Sequence, residues 1–227
     1  MFANVIAPHN PFDLASLELN NARLPPAWIE EGSATFPLGT DDQGRDILSA
    51  LMYGARVSLS VGIVSVALSL VLGVGLGLLS GFLGGKIDAF IMRVCDVMLS
   101  FPPILVALLI DGVGRALFPN AHDLLAFAVL IIAISLTGWV RYARTVRGST
   151  MVERNKEYVM AARVIGTKPW RIMSKHVLPN VLGPVLVLAT IHVAEAIILE
   201  ATLSFLGVGV PPTRPSLGTL IRIGNDF

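Results

Sequence analysis

The sequence predicts an all-α fold, a polytopic transmembrane helical bundle, from three observations. Of the 227 residues, 54% are hydrophobic and 15% charged, at a mean hydropathy of +0.72, a composition too apolar for an ordinary soluble domain. Residues 57–79 are 23 positions without a charge, roughly 34 Å as a helix and enough to cross a hydrocarbon core of ~30 Å. Residues 141–175 hold nine Lys or Arg against two Glu, more than half of the chain's 17 basic residues, the mark of a loop kept on the cytoplasmic side.

Taken in order, residues 1–56 carry three Arg against seven acidic residues, which suits a segment outside the membrane. The chain therefore divides into an extracytoplasmic N-terminal segment, 1–55, and a transmembrane domain, 56–227, with a cytoplasmic loop at about 141–176. Within the first, GTDDQGRD at 39–46 places Asp41, Asp42 and Asp46 close together. It lacks the spacing and terminal Glu of a calcium loop and reads as a capped turn. The span 57–79 has small residues at Ser69, Gly73, Gly75 and Gly77, with Ser80 beyond it, which fits close helix packing or a lipid-facing surface that tolerates them. Three further spans are expected at 97–110, 124–140 and 177–194, with 14, 17 and 18 uncharged residues, and the first of these needs its flanks to reach across. Alternation then puts 80–93 inside and 112–123 outside.

The polar residues of the spans offer little chemistry. Cys95, the one cysteine, lies in an apolar run and reads as a small buried hydrophobe. Asp96 and Asp111 bracket the 97–110 span and read as membrane-mouth positions. Glu195 and Glu200 follow the last apolar run; an ionised carboxylate at mid-membrane costs about 2.5–3.5 kcal/mol on insertion scales, so each is expected to face a pore, a partner or the interface. His192 reads as a packed helix histidine rather than a partner of Glu195. No paired His, Asp or metal-ligand spacing accompanies the Ser and Thr residues, so neither a catalytic residue nor a metal site is expected. Gly166-Thr167-Lys168 has no Walker A spacing around it, so the chain is not expected to be its own ATPase.

Residues 157–180 read EYVMAARVIGTKPWRIMSKHVLPN. Tyr158, Ala161, Ala162 and Ile165 share one helical face, with Lys156 and Arg163 opposite. Gly166 is placed to end that helix, Thr167 to cap the next and Pro169 to sit in its first turn. Beyond it Trp170, Met173 and Val177 form an apolar stripe, with Lys168, Arg171 and Lys175 opposite. Two short amphipathic helices meeting at a bend fit an interfacial loop on anionic lipid or a docking element for a cytoplasmic partner, and the pattern alone leaves both open. A membrane-surface scaffold would explain this basic loop but not the Gly-rich spans.

The spacing of Ala161-Ala162, Gly166 and Leu178-Pro179 resembles the cytoplasmic EAA loop of ABC importer permeases. It is joined, in order, by PLGTDDQGRDILSALMYGARVSLSVG (37–62), SGFLGGKIDAFIMRVCDVMLSFPP (80–103) and LEATLSFLGVGVPP (199–212). Together these resemble the oligopeptide and dipeptide permease family in its C-subunit form, inner membrane components of binding-protein-dependent transport systems, over most of the chain from about residue 36. Relatives of this type carry dipeptides, oligopeptides or chelated nickel.

The resemblance implies a type I ABC importer permease fold and a multi-pass location in the cell inner membrane. It implies that the bent loop is a coupling helix seated on an ATPase subunit, with Ala161, Ala162 and Gly166 as contact and bend and Leu178-Pro179 starting the next spanning helix. It implies the partners as well: a second permease subunit in a heterodimer, two ATP-binding subunits and a periplasmic or lipid-anchored binding protein, with membrane lipid around them, no nucleic acid, and ATP bound by the partners rather than by this chain. Glu200 and Ser204, in the LSFLG region, become candidates for the translocation pathway. There are departures from the pattern. Met160 stands where the motif has its Glu, with Glu157 one turn earlier placed either to substitute for it or merely to cap the helix, and Ala50 and Leu217 replace an Arg and a Trp. The family's first and last spanning helices are expected to be lacking.

Overall fold

The computed structural model describes residues 3–11, 19–117, 123–210 and 215–225. Among these residues the elements are helical and no strand occurs: α1 (Ala3–Ile6), α2 (Ile47–Leu83), α3 (Gly85–Leu99), α4 (Pro103–Leu117), α5 (Asp123–Glu153), α6 (Glu157–Val164), α7 (Pro169–Ile172), α8 (Leu178–Phe205) and α9 (Leu217–Asn225). Pro211 and Pro212 of the LSFLG motif, and residues 118–122 of the expected outside connection, lie outside the described residues.

Among the described residues three helical stretches are long and apolar enough to cross a membrane: Ile47–Leu83, Leu125–Glu153 and Pro169–Phe205. The expected span at 97–110 is not one straight helix: Gly85–Leu99 and Pro103–Gly114 meet at 93° across the break. Phe101-Pro102-Pro103 explains this. Pro102 pushes Phe101 out of the helical region, and Pro103 takes the first position of α4, where a missing N–H costs nothing. A fourth crossing requires this bent pair to act as one span.

α2 starts at Ile47, ahead of the expected 57, because Asp46 caps it. The Asp46 carboxylate accepts the N–H of Leu48 at 3.3 Å and of Ser49 at 3.0 Å. Just before it, the Asp41 carboxylate accepts the N–H groups of Gln43 and Arg45, both at 2.9 Å. GTDDQGRD is thus a capped turn, as its composition suggested. At the other end α2 stops at Gly84 and Gly85, with φ of +68° and +59°, a left-handed turn that a side chain would strain.

The chain forms two compact units. The first comprises Met1–Val61, Gly114–Leu130 and Ile197–Phe227. Here α9 lies close on the start of α2 and the end of α8: a Cβ at Gly218 would stand 2.2 Å from the Ala201 carbonyl oxygen, and one at Gly54 3.3 Å from the Leu217 nitrogen.

The second unit comprises Gly62–Val113 and Ile131–Ala196, and in it α2 meets α5 nearly backbone to backbone. A Cβ at Gly73 would lie 2.5 Å from the Trp139 carbonyl oxygen, one at Gly77 2.5 Å from that of Ala143, and one at Gly81 2.7 Å from that of Arg147. The close-packing reading therefore holds for Gly73 and Gly77, and the four-residue spacing extends to Gly81, whereas Gly75 has nothing within 4 Å. Ser69 Oγ donates to the Ser135 carbonyl and Ser135 Oγ to that of Ser65, both at 3.1 Å. Cys95 is fully buried against Ile91, Trp139, Val140 and Ala143, as expected of a small core hydrophobe.

Candidate functional site

The bend at 157–180 is built by backbone chemistry that its sequence dictates. α6 ends with Ile165 as its cap and Gly166 at φ +81°. The Thr167 N–H reaches back to the Ala162 carbonyl and the Gly166 N–H to that of Arg163, both at 3.0 Å, the paired bonds by which a glycine closes a helix. Thr167 does not cap α7, contrary to expectation. Lys168, extended at φ −60° and ψ 139°, holds the cap position, because Pro169 restricts the residue before it and itself has no N–H to be satisfied. A π-helical turn, Met173–Val177, then carries the chain into α8 at Leu178-Pro179.

The faces of this element differ from the expected ones. Val159, Ala162, Ile172 and Val177 turn inward and are buried, while Val164 is 88% exposed, Ile165 82% and Trp170 68%. Ala161, Gly166 and Met160 are exposed with them. So Ala161 and Ala162, expected side by side on one contact face, are divided between the outer and inner sides. Ile172 and Val177, five residues apart, are both buried because the π turn advances by about one extra residue.

The basic residues are partly spent within the element. Lys156 Nζ lies 2.7 Å from Glu153, and the Arg163 guanidinium sits over the Phe82 ring at 5.1 Å. Glu157 is exposed in the first turn of α6, where its charge suits the positive end of the helix. A clasp that the sequence did not disclose holds the bend to its flanks. Tyr158 Oη donates to Glu153 at the end of α5, and Asn180 Nδ2, at the start of α8, donates to Tyr158 Oη at 3.2 Å. Burial and the neighbouring Glu153 carboxylate raise the Tyr158 phenol above its usual range, which keeps it a donor.

In the first unit, Glu200 and Ser204 do come together. Glu200 is fully buried and accepts from Ser58 Oγ and from Ser204 Oγ, each at 2.7 Å. Ser58 Oγ in turn accepts the Leu217 N–H at 3.2 Å, so one carboxylate links α2, α8 and α9. Two of the departures from the family pattern lie nearby. Leu217 contributes this backbone bond, and Ala50 lines a cavity of about 520 Å³ together with Asp41, Asp42, Leu51, Leu220 and Ile221. Asp42 Oδ1 is buried there with no hydrogen-bond partner among the described residues.

In the second unit His192 is buried, with its Nδ1 2.9 Å from Tyr142 Oη, and Glu195 pairs with Arg141 rather than with the histidine. Asp96, expected at a membrane mouth, pairs with Arg144. Among the described residues no three His, Cys, Asp or Glu side chains gather as a metal site.

A protein-family model for the binding-protein-dependent transport system inner membrane component matches residues 73–225. The chain belongs to this family. This permease is 39% identical over 225 residues to the dipeptide transport system permease protein DppC of Haemophilus influenzae, covering 99% of this chain and 73% of that one. It is 44% identical to DppC of Escherichia coli, over 97% of this chain and 70% of that one. It is also 39% identical to the oligopeptide transport system permease protein OppC of Bacillus subtilis, over 94% and 65% respectively. Among solved structures, a chain of the MetNI methionine ABC transporter in inward-facing conformations superposes with a TM-score of 0.61 at 21% identity, covering 75% of this chain and 77% of that one. At that identity the likeness establishes the fold, which is the ABC importer permease type that the EAA-like spacing implied.

Proposed function

We propose that this permease forms half of the translocation pore of an ATP-driven importer of di- or oligopeptides in the cell inner membrane, and that the 157–179 bend transmits the motor stroke. The observation that carries the coupling role is the outward patch of Val164, Ile165 and Trp170 on two helices fixed at a left-handed glycine. A membrane surface would take the apolar side chains but has no use for a rigid bend. A protein groove requires one, and small Ala161 and Gly166 between the bulky residues allow close approach.

In this reading 1–55 is extracytoplasmic, the basic 141–176 segment runs from within the spanning helix α5 into the cytoplasmic bend, and Glu157 stands in for the motif's Glu because Met160 carries no charge. Leu178 and Pro179 start the helix that receives the push. Two partner subunits bind and hydrolyse ATP, a second permease completes the pore, and an external binding protein delivers the solute; the chain itself holds no cofactor and performs no catalysis. Glu200 and Ser204 serve the pathway by fixing the helices beside it. The 36–44% identity to dipeptide permeases over nearly the whole chain supports the peptide cargo.

The test is purification of the tagged chain from its native membrane in mild detergent. Two ATPases, a second permease and a binding protein are expected to accompany it. A binding protein that takes a nickel chelate or another small solute would move the cargo away from peptides. Loss of the ATPases in Gly166→Trp, with insertion intact, would support docking at the bend, whereas unchanged recovery would remove the coupling role.

A further inference from the structure

α5 carries Arg141, Arg144 and Arg147 at three-residue intervals, and each meets an acid from another helix. Arg141 pairs with Glu195 of α8, Arg144 with Asp96 of α3, and Arg147 with Asp88 of α3, its Nη2 lying 2.6 Å from the carboxylate. Each step along α5 is about 4.5 Å. The depth of the ladder is fixed by its neighbours. Tyr142 Cβ lies against Gly73, and Gly73 is near the middle of the uncharged stretch 57–85. The upper rung therefore stands at mid-membrane level, and the lower rungs descend towards the basic end of the helix.

Exposure separates the rungs. The Arg147 and Asp88 side chains are 30% and 18% exposed, but those of Arg141 and Glu195 are 41% and 47%, and those of Arg144 and Asp96 46% and 56%. Half-exposed ion pairs at this depth do not face hydrocarbon, which penalises charge even when it is paired. Leu186, nine residues and so about half a turn around from Glu195, is 60% exposed and lies at the far border of the exposed face of α8. Ile191, one turn before Glu195 and on its side of the helix, is 54% exposed, and Val187 between the two borders is 63% exposed. The exposed face of α8 in this unit is thus apolar over most of its width, and the charged strip at one border is the part that calls for water.

We propose that the Arg141–Glu195 and Arg144–Asp96 pairs line the water-filled translocation pathway and form a polar track for a zwitterionic solute. Each rung offers a guanidinium fork for the solute's carboxylate and a carboxylate for its ammonium group, so both ends find a partner without leaving an uncompensated charge. Because the pairs satisfy themselves when the pathway holds only water, the solute exchanges partners instead of occupying a deep site, which suits conduction. The Tyr142–His192 contact beside the upper rung already joins α5 to α8, so the exposed pair is not needed for that contact. This inference rests on the permease reading above.

The test uses the assembled transporter in membrane vesicles. Cys95 is this chain's one cysteine and is buried, so Cys95→Ala frees the chain of its own thiol for Glu195→Cys and Leu186→Cys, and labelling is read on this chain after its separation from the partner subunits. The probe is a membrane-impermeant, cationic methanethiosulfonate, applied without nucleotide, with ATP, and in a vanadate-trapped state. The Glu195→Cys variant is expected to react at least tenfold faster than Leu186→Cys in one or more states, and saturating dipeptide with the binding protein is expected to slow it. Equal slow reaction in all three states, with both ATPases still bound, would mean that the face is covered, and would overturn the proposal while leaving the permease reading intact. Absence of the ATPases from the preparation would overturn both.

Discussion

Helix α8 carries two carboxylates five residues apart, and the protein treats them in opposite ways. Glu200 is fully buried and, among the described residues, meets serine hydroxyls, whereas Glu195 is 47% exposed along its side chain and meets an arginine. Among the described residues the enclosed group has no counter-ion in its hydrogen-bond set, and its value is geometric: three helices are joined through it. The open group has a full counter-charge and joins two helices that are already in contact. Burial without a partner charge points to a fixed clamp, and exposure with one points to a surface made for exchange.

The sharpest way to break that contrast is to remove the enclosed carboxylate. Glu200→Ala leaves a cavity and orphans the Ser58 and Ser204 hydroxyls, at a cost of about 3 kcal/mol. The expected result is a marked fall in the thermal midpoint of the purified complex, with α9 becoming the first site of proteolysis. Glu200→Gln keeps the volume and one acceptor and should lose about 1 kcal/mol. If both variants unfold like the parent, the clamp has been misassigned. Next in size is the glycine seam. Gly73→Leu must push Trp139 and Tyr142 away from α2 and should cost ~2 kcal/mol, while Gly75→Leu, with open space around it, should be near neutral in the same melt.

Much of this was legible in the sequence because the membrane imposes a coarse rule. Long uncharged runs identified three long helices, and the basic block identified the bend. The break inside 97–110 was passed over by counting apolar residues across Pro102-Pro103, where two prolines bend the chain whatever its hydropathy. The faces of 157–180 were half right, since a regular period of 3.6 was applied through a stretch that contains a π turn, and that turn brings Ile172 and Val177 to the same side. The Tyr158 clasp and the Arg141–Glu195 pair were invisible for a different reason. They join residues 22 and 54 positions apart, and no local pattern encodes which helix an arginine will meet.

The bend gives a smaller effect and separates strain from docking. Gly166 has nothing within 4 Å of a built Cβ but sits at φ +81°, so Gly166→Ala is opposed by backbone strain of ~1 kcal/mol and not by a clash within this chain. Gly166→Asn tolerates the left-handed region better and should recover part of that stability. ATPase affinity in both variants, measured by retention in detergent, should follow side-chain size rather than melting temperature if the bend lies in a groove.

The smallest stability effect belongs to the open pair, and it is the most informative. Glu195→Gln removes a half-exposed ion pair of a kind whose contribution to stability is about 0–1 kcal/mol, so the melt should barely move. Transport should respond instead. Arg141 would then keep its charge in the pathway without its resting partner, which strengthens its hold on a solute carboxylate and slows release. The expected signature is therefore a lower half-saturation concentration together with a lower maximal uptake rate. A variant that instead lost stability on the scale of Glu200→Ala would show that Glu195 is also a clamp, and the contrast between the two carboxylates of α8 would collapse.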